Sequence, residues 1–170
     1  ILGAAKMTGV DGNLMAVMAA IESGFNYTVK AGSSSATGLY QFIKDTWNTM
    51  VKRYGPKYGI APDTPPTDPK ANALMGGEYI KENLKALKSK VNRPLTDTDA
   101  YIAHFLGAGG ASKFLNADPS AIAMDIMPKA AAANPTLFKD KGVPRTVADL
   151  YNLFTDKIKD RTRKLGVQTD

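Results

Sequence analysis

Glu22 is the side chain best placed to move a proton. It sits in a stretch, Gly12 to Ser23, where Leu14, Val17, Met18 and Ile21 keep the i, i+3, i+4, i+7 spacing of an amphipathic helix, and Gly24 follows as a stop. At 100° per residue, Met15 and Met18 lie within about 40° of Glu22 around that helix, so its carboxylate flanks the apolar stripe. Partial desolvation and the negative end of the helix dipole both push such a carboxyl pKa upward. A carboxyl protonated near neutral pH is what a general acid requires. A solvated Glu on a helix shoulder is the plainer reading, and the commoner one.

Three other constellations carry reactive or polar groups. Gly38-Leu39-Tyr40-Gln41-Phe42 follows a serine-rich loop, where Gln41 offers an amide to a polar ligand; a turn feeding the core explains the same residues. Tyr101 and His104 share a helix face at i, i+3 spacing. His104 is the single histidine, and a lone His is more often a hydrogen-bonded structural residue than a catalyst. Glu78 and Glu82 stand one turn apart, with Lys81 and Lys85 in range for ordinary surface pairing. The sequence has no H-E-x-x-H, calcium loop, Walker-type phosphate loop, dinucleotide fingerprint or G-x-S-x-G elbow. With one histidine and no cysteine, neither a metal nor a cofactor is expected.

The elements that must position these residues are helical. Asp11 can cap the helix of Glu22, and Gly32 to Gly38 reads as loop. Leu39 to Ile43 is short and rich in β-formers, and a helix capped by Asp45 runs to a stop at Gly55-Pro56. Five of the ten prolines fall between Pro56 and Pro69, which predicts an irregular connection. Asp68-Pro69 then opens a long helix with Leu74, Gly77, Ile80, Leu84, Leu87 and Val91 as its buried stripe, and lysines on its other faces. Thr96-Asp97-Thr98-Asp99 starts a short helix that ends at Gly107, where the Gly107–Gly110 run reads as a hinge. Asp118-Pro119 and Asn134-Pro135 open further short helices. Thr146-x-x-Asp149 begins the last one, with Val147, Leu150, Tyr151, Phe154 and Ile158 facing inward. No window shows sustained period-two alternation, so the fold class is all-α or mostly α.

At 170 residues and 44% hydrophobic content the chain can bury one domain's core, which excludes a disordered protein. Its longest apolar run is far short of the ~20 residues a bilayer span needs. The net charge of +6 favours a polyanionic partner such as nucleic acid, an anionic membrane or a bacterial envelope, without choosing among them.

Taken singly the motifs are weak; their order is specific. Glu22-Ser23-Gly24-Phe25-Asn26, then Ser34-Ser35-Ala36-Thr37-Gly38-Leu39-Tyr40-Gln41-Phe42, then Tyr101-Ile102-Ala103-His104 resemble the lytic transglycosylase family of the lysozyme superfamily. Asn72 to Ile80, with Gly76 and Tyr79, is similar to that family's Asn-x-x-x-Gly-x-x-Tyr-Leu helix. The nearest resemblance is to the catalytic domain of giant Pseudomonas phage endolysins, and it spans nearly the whole chain. Thr46-Trp47, Tyr54-Gly55, Tyr58-Gly59, Ile80-Lys81-Glu82-Asn83 and Tyr151-Asn152-Leu153 carry it further.

The resemblance implies a lysozyme-like lytic transglycosylase fold, with residues 1–170 as a single catalytic domain. It makes Glu22 the catalytic acid/base and places Ser35, Gln41, Tyr54, Glu82, Tyr101 and His104 around the bound sugar. One departure concerns the third motif: many bacterial members read Ala-Tyr-Asn, whereas here His104 follows Tyr101 and no Asn occupies that helix. The His is shared with the phage branch and bears on subfamily. The peptidoglycan-binding module of such endolysins is missing from the sequence and Ile1 replaces an initiator Met, which fits a truncated or single-domain form.

The implied activity is cleavage of the β-1,4 bond between N-acetylmuramic acid and N-acetylglucosamine, leaving a 1,6-anhydro end without consuming water. One carboxylate suffices, since the substrate's own N-acetyl group can assist. Tyr40, Tyr54, Tyr58 and Tyr101 then offer faces for sugar stacking. The implied partner is the peptidoglycan glycan strand, with no nucleic acid and no stable membrane insertion, and the chain is expected to be a monomer. It would be made in the infected host's cytoplasm or carried in the virion, and act on periplasmic peptidoglycan. The near rival is a hydrolytic lysozyme, with Glu82 or Glu78 activating water. Further off stand a non-catalytic basic module for nucleic acid or lipopolysaccharide, and a structural virion protein.

Overall fold

The computed structural model describes residues 1–32 and 34–166. Ser33, inside the predicted loop, and residues 167–170, at the end of the expected 1–170 domain, lie outside the described residues. The chain folds into two compact units, residues 1–81 with 161 onward, and residues 82–160. Both are helical, in keeping with the fold class read from the sequence.

In the first unit, α1 (Leu2–Thr8) packs on α2 (Gly12–Ser23). The bounds of α2 are those predicted: Asp11 Oδ1 accepts from the Asn13 N–H at 3.1 Å, and Gly24 closes the helix in the left-handed region at φ 59. Helix α1 is unannounced in the sequence, because Ile1 supplies no side-chain cap and only Ala4, Ala5 and Thr8 are buried. Helix α3 (Lys44–Tyr54) starts one residue before the predicted cap. Asp45 lies in its first turn, and the Lys44 N–H is accepted instead by Ser35 Oγ at 2.9 Å. A 3-10 turn, Gly55–Tyr58, follows directly, so Gly55-Pro56 tightens the helix where a stop was expected. The proline-rich connection beyond it is irregular, tied to α3 by a 3.0 Å bond from Trp47 Nε1 to the Thr64 carbonyl.

Helix α4 (Pro69–Lys88) opens as predicted, with Asp68 Oδ1 accepting from the Ala71 N–H at 2.9 Å. A single buried stripe is too narrow a description of it. Every residue from Ala71 to Glu78 is buried; exposed Lys70 precedes that stretch, and exposed Lys81, Lys85 and Lys88 follow it. The helix enters the first unit with its residues up to Lys81 and the second from Glu82 on.

The second unit opens on α5 (Asp97–Leu115), whose start is a complete capping box between Thr96 and Asp99. The helix breaks at Gly107 (φ 76, ψ 161), the predicted end, and resumes beyond it. Asp118-Pro119 makes a turn rather than the predicted helix. Asp118 Oδ1 accepts from the Ser120 N–H and hydroxyl, and the next residues are drawn out to pair with the chain before the last helix, with Ala123 N–H bonding the Arg145 carbonyl at 2.9 Å. Helical turns α6 (Ala123–Ile126), α7 (Pro128–Ala133) and α8 (Pro135–Phe138) follow, the last at the predicted Asn134-Pro135 start. A minimal hairpin, β1 (Lys139–Asp140) and β2 (Val143–Pro144), turns at Lys141 and Gly142, both at positive φ. Helix α9 (Val147–Leu165) carries the predicted Thr146/Asp149 box and buries Val147, Leu150, Phe154 and Ile158, while Tyr151 is half-buried.

Asp99 organises this unit. Its fully buried carboxylate takes a fork from Arg93 (2.6 and 3.0 Å), the Thr96 N–H (2.9 Å) and the Tyr151 hydroxyl (3.1 Å). Burial opposes its ionisation, but Arg93, Thr96 and Tyr151 together outweigh that and hold the carboxyl below the ordinary Asp range. The sign for stability follows. Above about pH 4 both folded and unfolded chains carry the charge, and the stabilisation is complete. As the pH falls below that, the unfolded chain takes the proton first and stability drops toward the folded-state pKa. We therefore expect the unfolding midpoint to fall below pH 4 in wild type, and Asp99→Asn to be less stable at neutral pH with a flatter acid dependence. Parallel acid profiles of the two proteins would contradict this.

Candidate active site

Glu22 lies in the last turn of α2, half-buried, behind Met15 and Met18, which are both fully buried. The predicted position beside the apolar stripe is thus present. Its neighbour Ser23 turns its hydroxyl inward to the Ala19 carbonyl at 3.0 Å. Immediately after the Gly24 cap, Phe25 also adopts a left-handed conformation (φ 65), and the Asn26 N–H bonds back to the Ser23 carbonyl.

The segment carrying Gln41, short and rich in β-formers, is a clamped loop. Thr37 and Phe42 exchange two backbone hydrogen bonds (3.0 and 3.2 Å), and Gln41 between them sits at φ 52. Asn72, fully buried in α4, holds this loop: its Oδ1 accepts from the Tyr40 N–H at 3.0 Å, and its Nδ2 donates to the Pro66 (2.8 Å) and Thr37 (3.3 Å) carbonyls. A β-carbon at Gly38 (φ 86) would stand 2.3 Å from the Pro66 carbonyl oxygen, and one at Gly76 2.6 Å from the Tyr40 ring. The two glycines therefore let loop and helix meet at backbone distance. Here lies the physical content of the Asn-x-x-x-Gly pattern. Asn72 as a clamp was missed from the residues alone, although a buried amide inside the apolar run Ala71 to Leu74 is the signal that finds it.

The clamp also defines what each loop side chain can do. Gln41 Nε2 donates to the Val29 (3.1 Å) and Gly38 (3.0 Å) carbonyls, so the donor half of its amide is spent on the loop. Ser35, exposed, uses its hydroxyl on the first turn of α3. Tyr40 is no stacking surface, contrary to expectation: its ring is fully buried and its hydroxyl bonds the Met15 carbonyl at 2.7 Å, with burial pushing its pKa up. It joins the Gln41 loop directly to the helix of Glu22. Tyr54, at the end of α3, is half-buried with the Arg53 guanidinium 5.9 Å from its ring centre.

Glu78 departs furthest from its expected surface pairing with lysines. It is 3% exposed, and its Oε1 accepts from the Tyr58 hydroxyl (2.5 Å) and Lys57 Nζ (3.2 Å). A carboxylate enclosed and engaged in this way is poorly suited to activating a water, which weakens it as the second acid of a hydrolase.

In the second unit, Tyr101 is 5% exposed and meets Phe154 edge-on at 5.4 Å, so its ring face is also closed to sugar stacking. His104, one turn further on, is half-buried with Nδ1 inside; Glu82 is half-buried on α4. Among the described residues no group of three or more His, Cys, Asp or Glu side chains is placed to hold a metal ion, and no helix is long and apolar enough to cross a membrane.

Comparisons with known proteins bear on the fold and the family. The fold is similar to that of an inactive mutant of lytic transglycosylase Slt from Pseudomonas aeruginosa, with a TM-score of 0.61 and 17% identity over 99% of this chain. At that identity the likeness is one of fold, and the chain spans 24% of the length of that protein. Residues 1–105, well over half the chain and including Glu22, Ser35, Gln41, Tyr54, Glu82, Tyr101 and His104, match the transglycosylase SLT domain. The chain belongs to the transglycosylase SLT domain family.

Proposed function

We propose that the chain is a peptidoglycan lytic transglycosylase that cleaves the β-1,4 bond between N-acetylmuramic acid and N-acetylglucosamine. The observation that carries the reading is Glu22: a carboxylate in the last turn of α2, set against buried methionines and joined through Tyr40 to the Gln41 loop, within the residues matched by the family. In the first step Glu22 gives its proton to the glycosidic oxygen and the C1–O bond breaks, with the muramyl N-acetyl carbonyl oxygen closing on C1. Glu22, now a carboxylate, then takes the proton of the muramyl 6-hydroxyl. That oxygen displaces the acetyl oxygen at C1, giving the 1,6-anhydro ring and restoring the acid. No water enters the balance, and one carboxylate serves both steps.

The other residues take positioning roles. Gln41 keeps the loop in shape through its Nε2 and presents its carbonyl oxygen to the N-acetyl N–H. Ser35, Tyr54, Glu82, Tyr101 and His104 contact the glycan, Tyr101 through its hydroxyl and not its enclosed ring face, an assignment supported by the family's motifs. Acting as a single catalytic domain and as a monomer, the enzyme serves a phage, as an endolysin made in the host cytoplasm or as a virion-carried protein, and works on periplasmic peptidoglycan. The +6 charge suits an anionic cell-wall polymer. Incubation with purified Gram-negative sacculi is expected to release soluble muropeptides; intact sacculi after prolonged incubation would overturn the proposal.

A further inference from the structure

Phe25 is costly to the fold in two ways. A bulky residue at φ 65 occupies backbone space that suits glycine, and 41% of the residue remains exposed, so neither local conformation nor core packing explains it. Tyr27, two residues on, is 50% exposed. The backbone on either side of them is held firmly: Gly24 N–H bonds the Ala20 carbonyl (3.0 Å), Asn26 N–H the Ser23 carbonyl (3.0 Å), and Asn26 Oδ1 accepts from both the N–H (3.0 Å) and the hydroxyl (2.8 Å) of Thr28. Three residues span at most ~11 Å, so Phe25 lies within about two sugar units' length of Glu22 along a glycan strand. Strain of this kind gathers where a side chain must be presented to a ligand.

We propose that Phe25, with Tyr27 beside it, forms a rigid aromatic ledge that binds an N-acetylhexosamine ring of the glycan next to Glu22. The negative face of an aromatic ring attracts the polarised C–H groups on one face of a pyranose, and a ring fixed before binding loses little freedom when the sugar arrives. The proposal rests on the transglycosylase reading for the identity of the glycan, and the two fail separately.

The test combines kinetics on solubilised peptidoglycan with sedimentation of the inactive Glu22→Gln protein on purified sacculi. Phe25→Ala is expected to raise KM and weaken sedimentation about fivefold with kcat within about twofold, and Phe25→Tyr to restore both. Phe25→Gly is expected to melt above Phe25→Ala, since only glycine relieves the left-handed strain, yet to lose binding equally. Unchanged KM and sedimentation in Phe25→Ala would overturn the ledge. So would a loss confined to kcat, or a binding loss that Phe25→Gly does not share. A wild-type chain that cleaves nothing, while Glu22→Gln binds sacculi through Phe25, would refute the transglycosylase and leave the ledge standing.

Discussion

Glu22→Gln is expected to keep the far-ultraviolet helical spectrum and the melting midpoint of wild type while lowering glycan cleavage by about 10²–10⁴-fold, the range that one positioned acid/base supplies. The amide nearly matches the carboxyl in shape and still hydrogen-bonds, but it neither delivers a proton to the leaving oxygen nor removes one from the 6-hydroxyl. Glu22→Asp retains the acid and withdraws it by one methylene from the reacting bond. Misplacement on that scale is expected to cost about 10²-fold. The side chain sits half-buried at a helix end, while Met15 and Met18 of the same helix are fully buried and supply its core face, so stability is expected to change little in either variant. Substantial lysis by Glu22→Gln would remove Glu22 from the chemistry.

Gly38→Ala is expected to produce the largest loss of stability among single-methyl changes near the site. The new β-carbon would lie 2.3 Å from the Pro66 carbonyl oxygen and 2.4 Å from Asn72 Nδ2, at a position with φ 86. Left-handed strain contributes roughly 1–2 kcal/mol. Displacing Asn72 leaves a buried polar group short of partners at a further 1–3 kcal/mol or so. About 3 kcal/mol in total lowers the melting midpoint by roughly 6–12 °C in a chain of this size. Gly32→Ala is the control, because nothing lies within 4 Å of its added β-carbon and its φ is not left-handed. It is expected to change stability by no more than about 0.5 kcal/mol. Equal melting of the two variants would contradict the loop clamp. Because the clamp also fixes Gln41, Gly38→Ala is expected to lose activity even at temperatures where it is folded.

The contrast between these positions tracks how far each residue's role was legible beforehand. The bounds of the helix that carries Glu22 were legible from spacing alone, because Asp11, the apolar stripe and Gly24 are all local to the helix they define. The same local logic located the start of α4 at Asp68-Pro69 and the boxes that begin α5 and α9. Helix α1 escaped because a seven-residue helix that buries only Ala4, Ala5 and Thr8 and has no capping oxygen carries no signal. The helix expected at Asp118 failed because its cap was real but the following residues were claimed by backbone pairing with Arg145 and Val147, far along the chain.

Side-chain roles were read less well than elements. Tyr40 and Tyr101 look alike in sequence to Tyr54, and only packing shows that the first two are buried and the third is partly open. Glu78 reads as one half of a surface pair until Tyr58 and Lys57, some twenty residues upstream, close over it. Phe25 stood in full view inside the first motif, yet its backbone conformation and its exposure, which single it out, are properties of the fold.

The chemical nature of the new glycan end decides between transfer and hydrolysis. Mass spectrometry of muropeptides released from purified Gram-negative peptidoglycan is the most direct measurement. Products one water lighter than hydrolysis products, resistant to borohydride reduction, are expected from internal attack by the 6-hydroxyl. Reducible ends carrying the added water would contradict that mechanism and make the chain a hydrolase, with Glu82 the first carboxylate to test as its partner.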